Sequence, residues 1–148
     1  MYKKILVPTG GTERSLTAVH EAAGLAKSEN AQLLILHVRS PIDAPRHVEG
    51  GALSRLPPEV VMQEVEAQER KALESAMRHA ADAGVQAEMA FVYGYSVYQT
   101  ILNVAAAEGC DLIVMASHGR RSGLAGLLLG NETQKLLMHA RIPVLVVR

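Results

Sequence analysis

Four short apolar runs punctuate the chain: Ile5 to Val7, Leu33 to Val38, Leu112 to Met115 and Val144 to Val147. None alternates with polar residues, which is the pattern of strands buried on both faces. Between the first two, Leu16, Val19, Ala23 and Ala26 recur at helical spacing. Thr12 is placed to cap that helix and Glu13 to complement the positive end of its dipole. A second amphipathic stretch runs from about Pro58 to Ala83, with Val65, Ala72, Leu73, Ala76 and Ala80 on one side and Gly84 positioned to stop it. Gln86 to Val92 alternates loosely and predicts a further strand. A third helix starts at about Ser96 and carries Val97, Ile101, Val104 and Ala105. Asp111 to Ala116 predicts the next strand. Glu132 to Ala140 predicts a fourth helix, with Thr133, Leu136, Leu137 and Ala140 facing inward, and Pro143 opens the final strand.

Strands that alternate with helices predict an α/β fold. Parallel neighbours need crossover connections, and right-handed crossovers place helices on both faces of a doubly wound, five-stranded parallel sheet. A length of 148 residues suits one domain. Residues 39–57, with Pro41, Pro45, Gly50 and Gly51, show no periodicity, and a connection that long is functional or mobile. The arginines there, Arg39, Arg46 and Arg55, read as solvated charges.

Composition narrows the partners. Lys plus Arg and Asp plus Glu each number 15, so no basic excess favours nucleic acid. The lone cysteine, Cys110, cannot form an internal disulfide and reads as a small packed side chain, which favours a reducing compartment. The apolar run after Met1-Tyr2-Lys3-Lys4 is too short for a signal peptide or membrane span, so a soluble, cytoplasmic protein is expected, with no membrane partner.

The chemistry concentrates in two glycine-bearing loops. Pro8-Thr9-Gly10-Gly11-Thr12 follows the first strand, and Ala116-Ser117-His118-Gly119-Arg120-Arg121-Ser122-Gly123 follows the fourth. In open α/β sheets ligands bind beyond the carboxyl ends of the strands, where the winding direction reverses. Gly119, Gly123, Gly126, Gly130 and Asn131 lead into the fourth helix, so they either cradle an anion at a helix N-terminus or simply form tight turns. His118 has no second His, Cys or carboxylate at metal-ligand spacing, so no metal is assigned. Ser117 lacks a G-x-S-x-G elbow, and neither loop ends in G-K-[ST], so no catalytic residue is assigned. His37, on a buried strand, is expected to be a hydrogen-bonded core histidine.

The segments Lys4 to Thr12, Leu36-His37-Val38, Asp111 to Arg120 and Ile142 to Val147 together resemble the universal stress protein family, over essentially the whole chain. The resemblance implies the strand order 3-2-1-4-5 and a homodimer. It also implies a site for ATP or another adenine nucleotide, with Mg²⁺ accompanying a triphosphate. Carried over position by position, Pro8, Thr9, Gly10 and Val38 would line the adenosine side, and Met115, Ala116, His118, Gly119, Arg120, Gly130 and Asn131 the phosphate side. The chain departs from the family's ATP pattern of a glycine, two residues, a glycine, nine residues, then glycine and Ser or Thr. Ala116 replaces the first glycine, ten residues separate Gly119 from Gly130, Asn131 replaces the hydroxyl residue, and Gly10 stands where an acidic residue is usual. Two classes of function therefore remain open: a nucleotide-responsive regulatory dimer, or a stress-associated interaction dimer whose nucleotide site has degenerated. Slow ATP hydrolysis ranks last, because no base, Walker lysine or metal-binding carboxylate pair is evident. The last strand is an uncharged β-forming run. In the implied order it is an edge, so Val144, Leu145, Val146 and Val147 are expected to meet a two-fold mate in antiparallel contact.

Overall fold

Ile5, Leu6 and Val7 have no exposed surface, and their strand lies at the centre of the sheet. A computed structural model of the protein describes residues 1–39, 58–117 and 130–148. It contains, in order, β1 (Lys4–Pro8), α1 (Glu13–Glu29), β2 (Gln32–Arg39), α2 (Pro58–Asp82), β3 (Ala87–Tyr93), α3 (Val97–Ala107), β4 (Leu112–Ala116), α4 (Asn131–His139) and β5 (Val144–Val147). The strands pair in parallel in the order β3-β2-β1-β4-β5. This is the α/β fold that the alternation of elements predicts and the strand order that the resemblance implies.

Alternate side chains of the central strands serve two layers. Ile5, Val7, Leu33, Ile35 and Val114 pack with Ala18, Ala22, Ala76 and Leu73 from α1 and α2. Leu6, Leu34, Leu36, Ile113 and Met115 pack with Ile101 and Ala105 of α3 and Leu136 of α4. The alanine face of α1 lets that helix approach the sheet closely. Local signals set the ends. The Thr12 side chain accepts from the Ser15 N–H, and Asn30 closes α1 in the left-handed region at φ 55°. Gly84, at φ 81°, follows α2.

Several expectations need correction. Leu137 is 39% exposed and Ala140 only partly buried, because the inward face of the short α4 consists of Thr133 and Leu136. Leu137 lies a further 100° around the helix, away from that buried face. Arg39 is not a solvated loop charge. It ends β2, and its side chain is only 12% exposed and paired with Glu69. Arg46 and Arg55, with the rest of the long connection, lie outside the described residues. The apolar side of β3 is half uncovered, with Met89, Phe91 and Tyr93 exposed. Cys110 is buried, and burial pushes its thiol up to about 11, so it is a packing residue with little thiolate character. Among the described residues, no helix is long and apolar enough to cross a membrane.

Candidate functional site

The chain leaves β1 through α1 to β2 on one side, while β4 pairs with β1 on the other side. The loops at the carboxyl ends of β1 and β4 therefore diverge, and a crevice must open between them. It is occupied by a cavity of about 370 Å³. The first wall is the turn after β1. The Thr9 N–H donates to the Leu36 carbonyl at 2.8 Å, which ties the turn to β2. The Thr9 hydroxyl contacts Ser15 Oγ at 3.2 Å and accepts from the Gly11 N–H at 3.3 Å. Ser15 Oγ in turn donates to the Thr12 carbonyl at 2.8 Å. These contacts hold Thr9 and Gly10 against the cavity.

Eight predicted positions border this one cavity: Pro8, Thr9, Gly10, Val38, Met115, Ala116, Gly130 and Asn131. His118, Gly119 and Arg120 lie outside the described residues, as do Arg121, Gly123 and Gly126. The remaining lining comes from Ser15, Leu36, His37, Val97, Ile101, Glu132 and Thr133, none of which was singled out for the site from the sequence. Leu36, Val38, Val97, Ile101 and Met115 give the cavity apolar walls, and Thr9, Ser15, His37, Asn131, Glu132 and Thr133 supply its polar groups. Such a cavity suits a flat apolar ring system held in register by a few polar contacts. Thr133, 1% exposed, sits in the first turn of α4, whose cap, Gly130, has no side chain to offer the first backbone N–H groups.

The helical period gave a signal for Thr133, but His37 and Glu132 depend on distant partners. His37 Nδ1 donates to the Thr9 carbonyl at 2.8 Å, so this buried core histidine supports the wall of the cavity from behind. Its Nε2 faces Glu69 Oε1 at 3.2 Å, and its ring stacks on Phe91 with centroids 5.4 Å apart. Arg39 grips both Glu69 oxygens, with Nε at 3.1 Å and 2.9 Å, and also bonds the Tyr93 hydroxyl. Burial pushes the Glu69 carboxyl up, but the hydrogen bonds from Arg39 and His37 outweigh it and hold the group below the usual carboxylate range. A partly buried ion pair thus braces the histidine that braces Thr9.

At the opposite rim, the Glu132 carboxylate accepts the Tyr98 N–H at 3.0 Å. Ser96, the cap of α3, makes no side-chain capping bond, so a residue of α4 supplies the acceptor for the start of α3. Among the described residues, no cluster of three or more His, Cys, Asp or Glu side chains is placed to hold a metal.

Comparison with known proteins agrees with this architecture. The model of the universal stress protein family matches residues 1–148. The universal stress protein YxiE of Bacillus subtilis is 36% identical to the chain, with all of both sequences covered. The universal stress protein MJ0531 of Methanocaldococcus jannaschii is 30% identical, over all of this chain and 83% of that protein. Among solved structures, one of a universal stress protein in complex with cAMP superposes with a TM-score of 0.71 at 26% identity, covering 99% of this chain and 97% of that one. That of MJ0577, a protein of the same archaeon, superposes with a TM-score of 0.77 at 27% identity, covering 99% and 96%.

Proposed function

This chain belongs to the universal stress protein family, and from that premise we propose that it is a cytoplasmic, homodimeric stress-response regulator that binds an adenine nucleotide at the carboxyl ends of β1, β2 and β4. The observation that carries this reading is the convergence of eight positions named by the family resemblance, from four different segments, on one largely apolar cavity. The complex of a family relative with cAMP supports it. In this reading the adenosine lies against Pro8, Thr9, Gly10 and Val38. The phosphate end lies near Met115, Ala116, Gly130 and Asn131, with His118, Gly119 and Arg120 contributing from the loop after β4. Calorimetric titration with adenine nucleotides and Mg²⁺ is expected to give saturable heat, and mass spectrometry of the protein isolated from cells to detect bound nucleotide. No heat and no thermal shift at millimolar nucleotide would leave the second reading, an interaction dimer with a degenerate site. Gly10, Ala116 and Asn131 favour that second reading, since each departs from the family's ATP pattern.

The dimer is proposed through β5. This strand pairs with β4 along one side, and Leu145 is 43% exposed. An apolar strand edge that stays open invites association, and a two-fold antiparallel contact closes it. Equilibrium sedimentation at micromolar protein is expected to give the dimer mass, and Leu145→Asp to shift the distribution toward monomer. A monomeric wild-type protein would remove this assignment.

A further inference from the structure

We infer that Glu132 tunes the cavity to adenosine ligands carrying at most one phosphate and disfavours triphosphates. This rests on the nucleotide reading above and specifies it. Two helix N-termini, of α3 and α4, face the same rim, and each carries a partial positive charge equivalent to roughly half an elementary charge. An anionic ligand would ordinarily exploit both. Here a resident carboxylate already does so. Glu132 is in the first turn of α4, lines the cavity, and reaches across to accept the Tyr98 N–H of α3 at 3.0 Å.

An acidic residue in the first turn of a helix is an ordinary stabilising device, but it normally serves its own helix. Glu132 bridges two helices and lines the cavity beside Gly130 and Asn131, so its charge stands at the end assigned above to phosphate. Apart from His37 at the opposite wall, it is the sole ionisable side chain among the described lining residues. Lys135 offsets it in part, with Nζ at 3.7 Å from Oε1, but this lysine is 44% exposed and outside the lining. One phosphate still meets the N-terminus of α4, where Gly130 supplies no capping side chain. Each further phosphate adds negative charge beside a fixed carboxylate. A volume of about 370 Å³ is also near the small end of ligand pockets, roughly 300–1,000 Å³.

The test is calorimetric titration of adenosine, AMP and Mg-ATP into the full chain and into Glu132→Gln. Glutamine keeps an oxygen for the Tyr98 N–H, and matching thermal midpoints would show that the bridge survives. The wild type is expected to bind AMP more tightly than ATP. In the variant, the affinity for ATP relative to adenosine should rise about tenfold, the scale of one charge acting over several ångströms in a partly screened site. ATP binding as tight as AMP in the wild type, or an unchanged ATP-to-adenosine ratio in the variant, would overturn the role of Glu132 while leaving the nucleotide reading intact. Absence of binding by all three ligands would overturn the nucleotide reading and this inference together.

Discussion

Replacing Gly11 by alanine is expected to lower the thermal midpoint by about 10 °C, equivalent to roughly 3 kcal/mol for a chain of this size. Two independent costs combine. Gly11 has φ 77°, a left-handed conformation that disfavours a side chain by about 1–2 kcal/mol. A Cβ there would also overlap the Cβ of Ala72 and sit 3.2 Å from its Cα, so the turn after β1 would have to lift away from α2. Overpacking of this kind costs about 1–3 kcal/mol. Gly10→Ala is the control, since a Cβ at the neighbouring glycine meets nothing within 4 Å. Combining Gly11→Ala with Ala72→Gly should recover the packing part of the loss but not the backbone part, and a double-mutant cycle by thermal denaturation separates the two. Equal stability of the Gly10→Ala and Gly11→Ala proteins would mean that the turn does not pack on α2 as described. Thr9 and Gly10 would then have no fixed place at the cavity.

That contrast between adjacent glycines marks the limit of what the sequence discloses. Composition of the loop says only that it is small and permissive. Which glycine is required depends on Ala72, sixty-one positions further along the chain. The strands were legible because burial on both faces leaves uninterrupted apolar runs, and the first helix because Thr12 and its periodic alanines act locally. Strand boundaries moved by a residue where the ladder extends past the apolar run, as at Lys4 and Pro8 of β1 and Arg39 of β2. The cavity positions on the glycine loops were legible through the resemblance and the rule for parallel sheets. His37, Glu69 and Glu132 were not assigned to the site, because each acts through a partner 28 to 34 residues away. Periodicity carries no trace of such pairs. The partner of Arg39 is hidden for the same reason, since nothing near it in sequence announces Glu69.

These long-range pairs also connect the cavity to the edge of the sheet. Thr9 is held by His37, His37 contacts Glu69, and Glu69 is held by Arg39, whose guanidinium lies 5.0 Å from the ring centroids of both Phe91 and Tyr93. The wall of the cavity nearest β1 is therefore set from the core outward and not by the loop alone. The opposite rim is set by Glu132 bridging α3 and α4. A cavity braced on both sides in this way is largely preorganised, so the affinity of a ligand depends mainly on which polar groups it meets at the rim.

Gly10 is the rim position where a single added group should matter most. Gly10→Asp is expected to raise the affinity for adenosine and for AMP at least tenfold. The new side chain has room, because its Cβ would meet no atom within 4 Å, and Gly10 is not in the left-handed region that penalises a side chain. Position 10 lines the cavity beside Thr9, and the family resemblance places an acidic contact to the adenosine part there. A hydrogen bond from a sugar hydroxyl to a carboxylate is worth about 1.5–3 kcal/mol, which is about tenfold or more in affinity. Because the contact is to the nucleoside and not to phosphate, adenosine itself should gain, whereas Gly10→Asn, with a neutral acceptor, should gain less. Calorimetry with adenosine on the three proteins measures this directly. An affinity for adenosine that is the same in Gly10→Asp as in the wild type would show that the sugar does not lie against the turn after β1. The orientation proposed for the nucleotide would then have to be reversed.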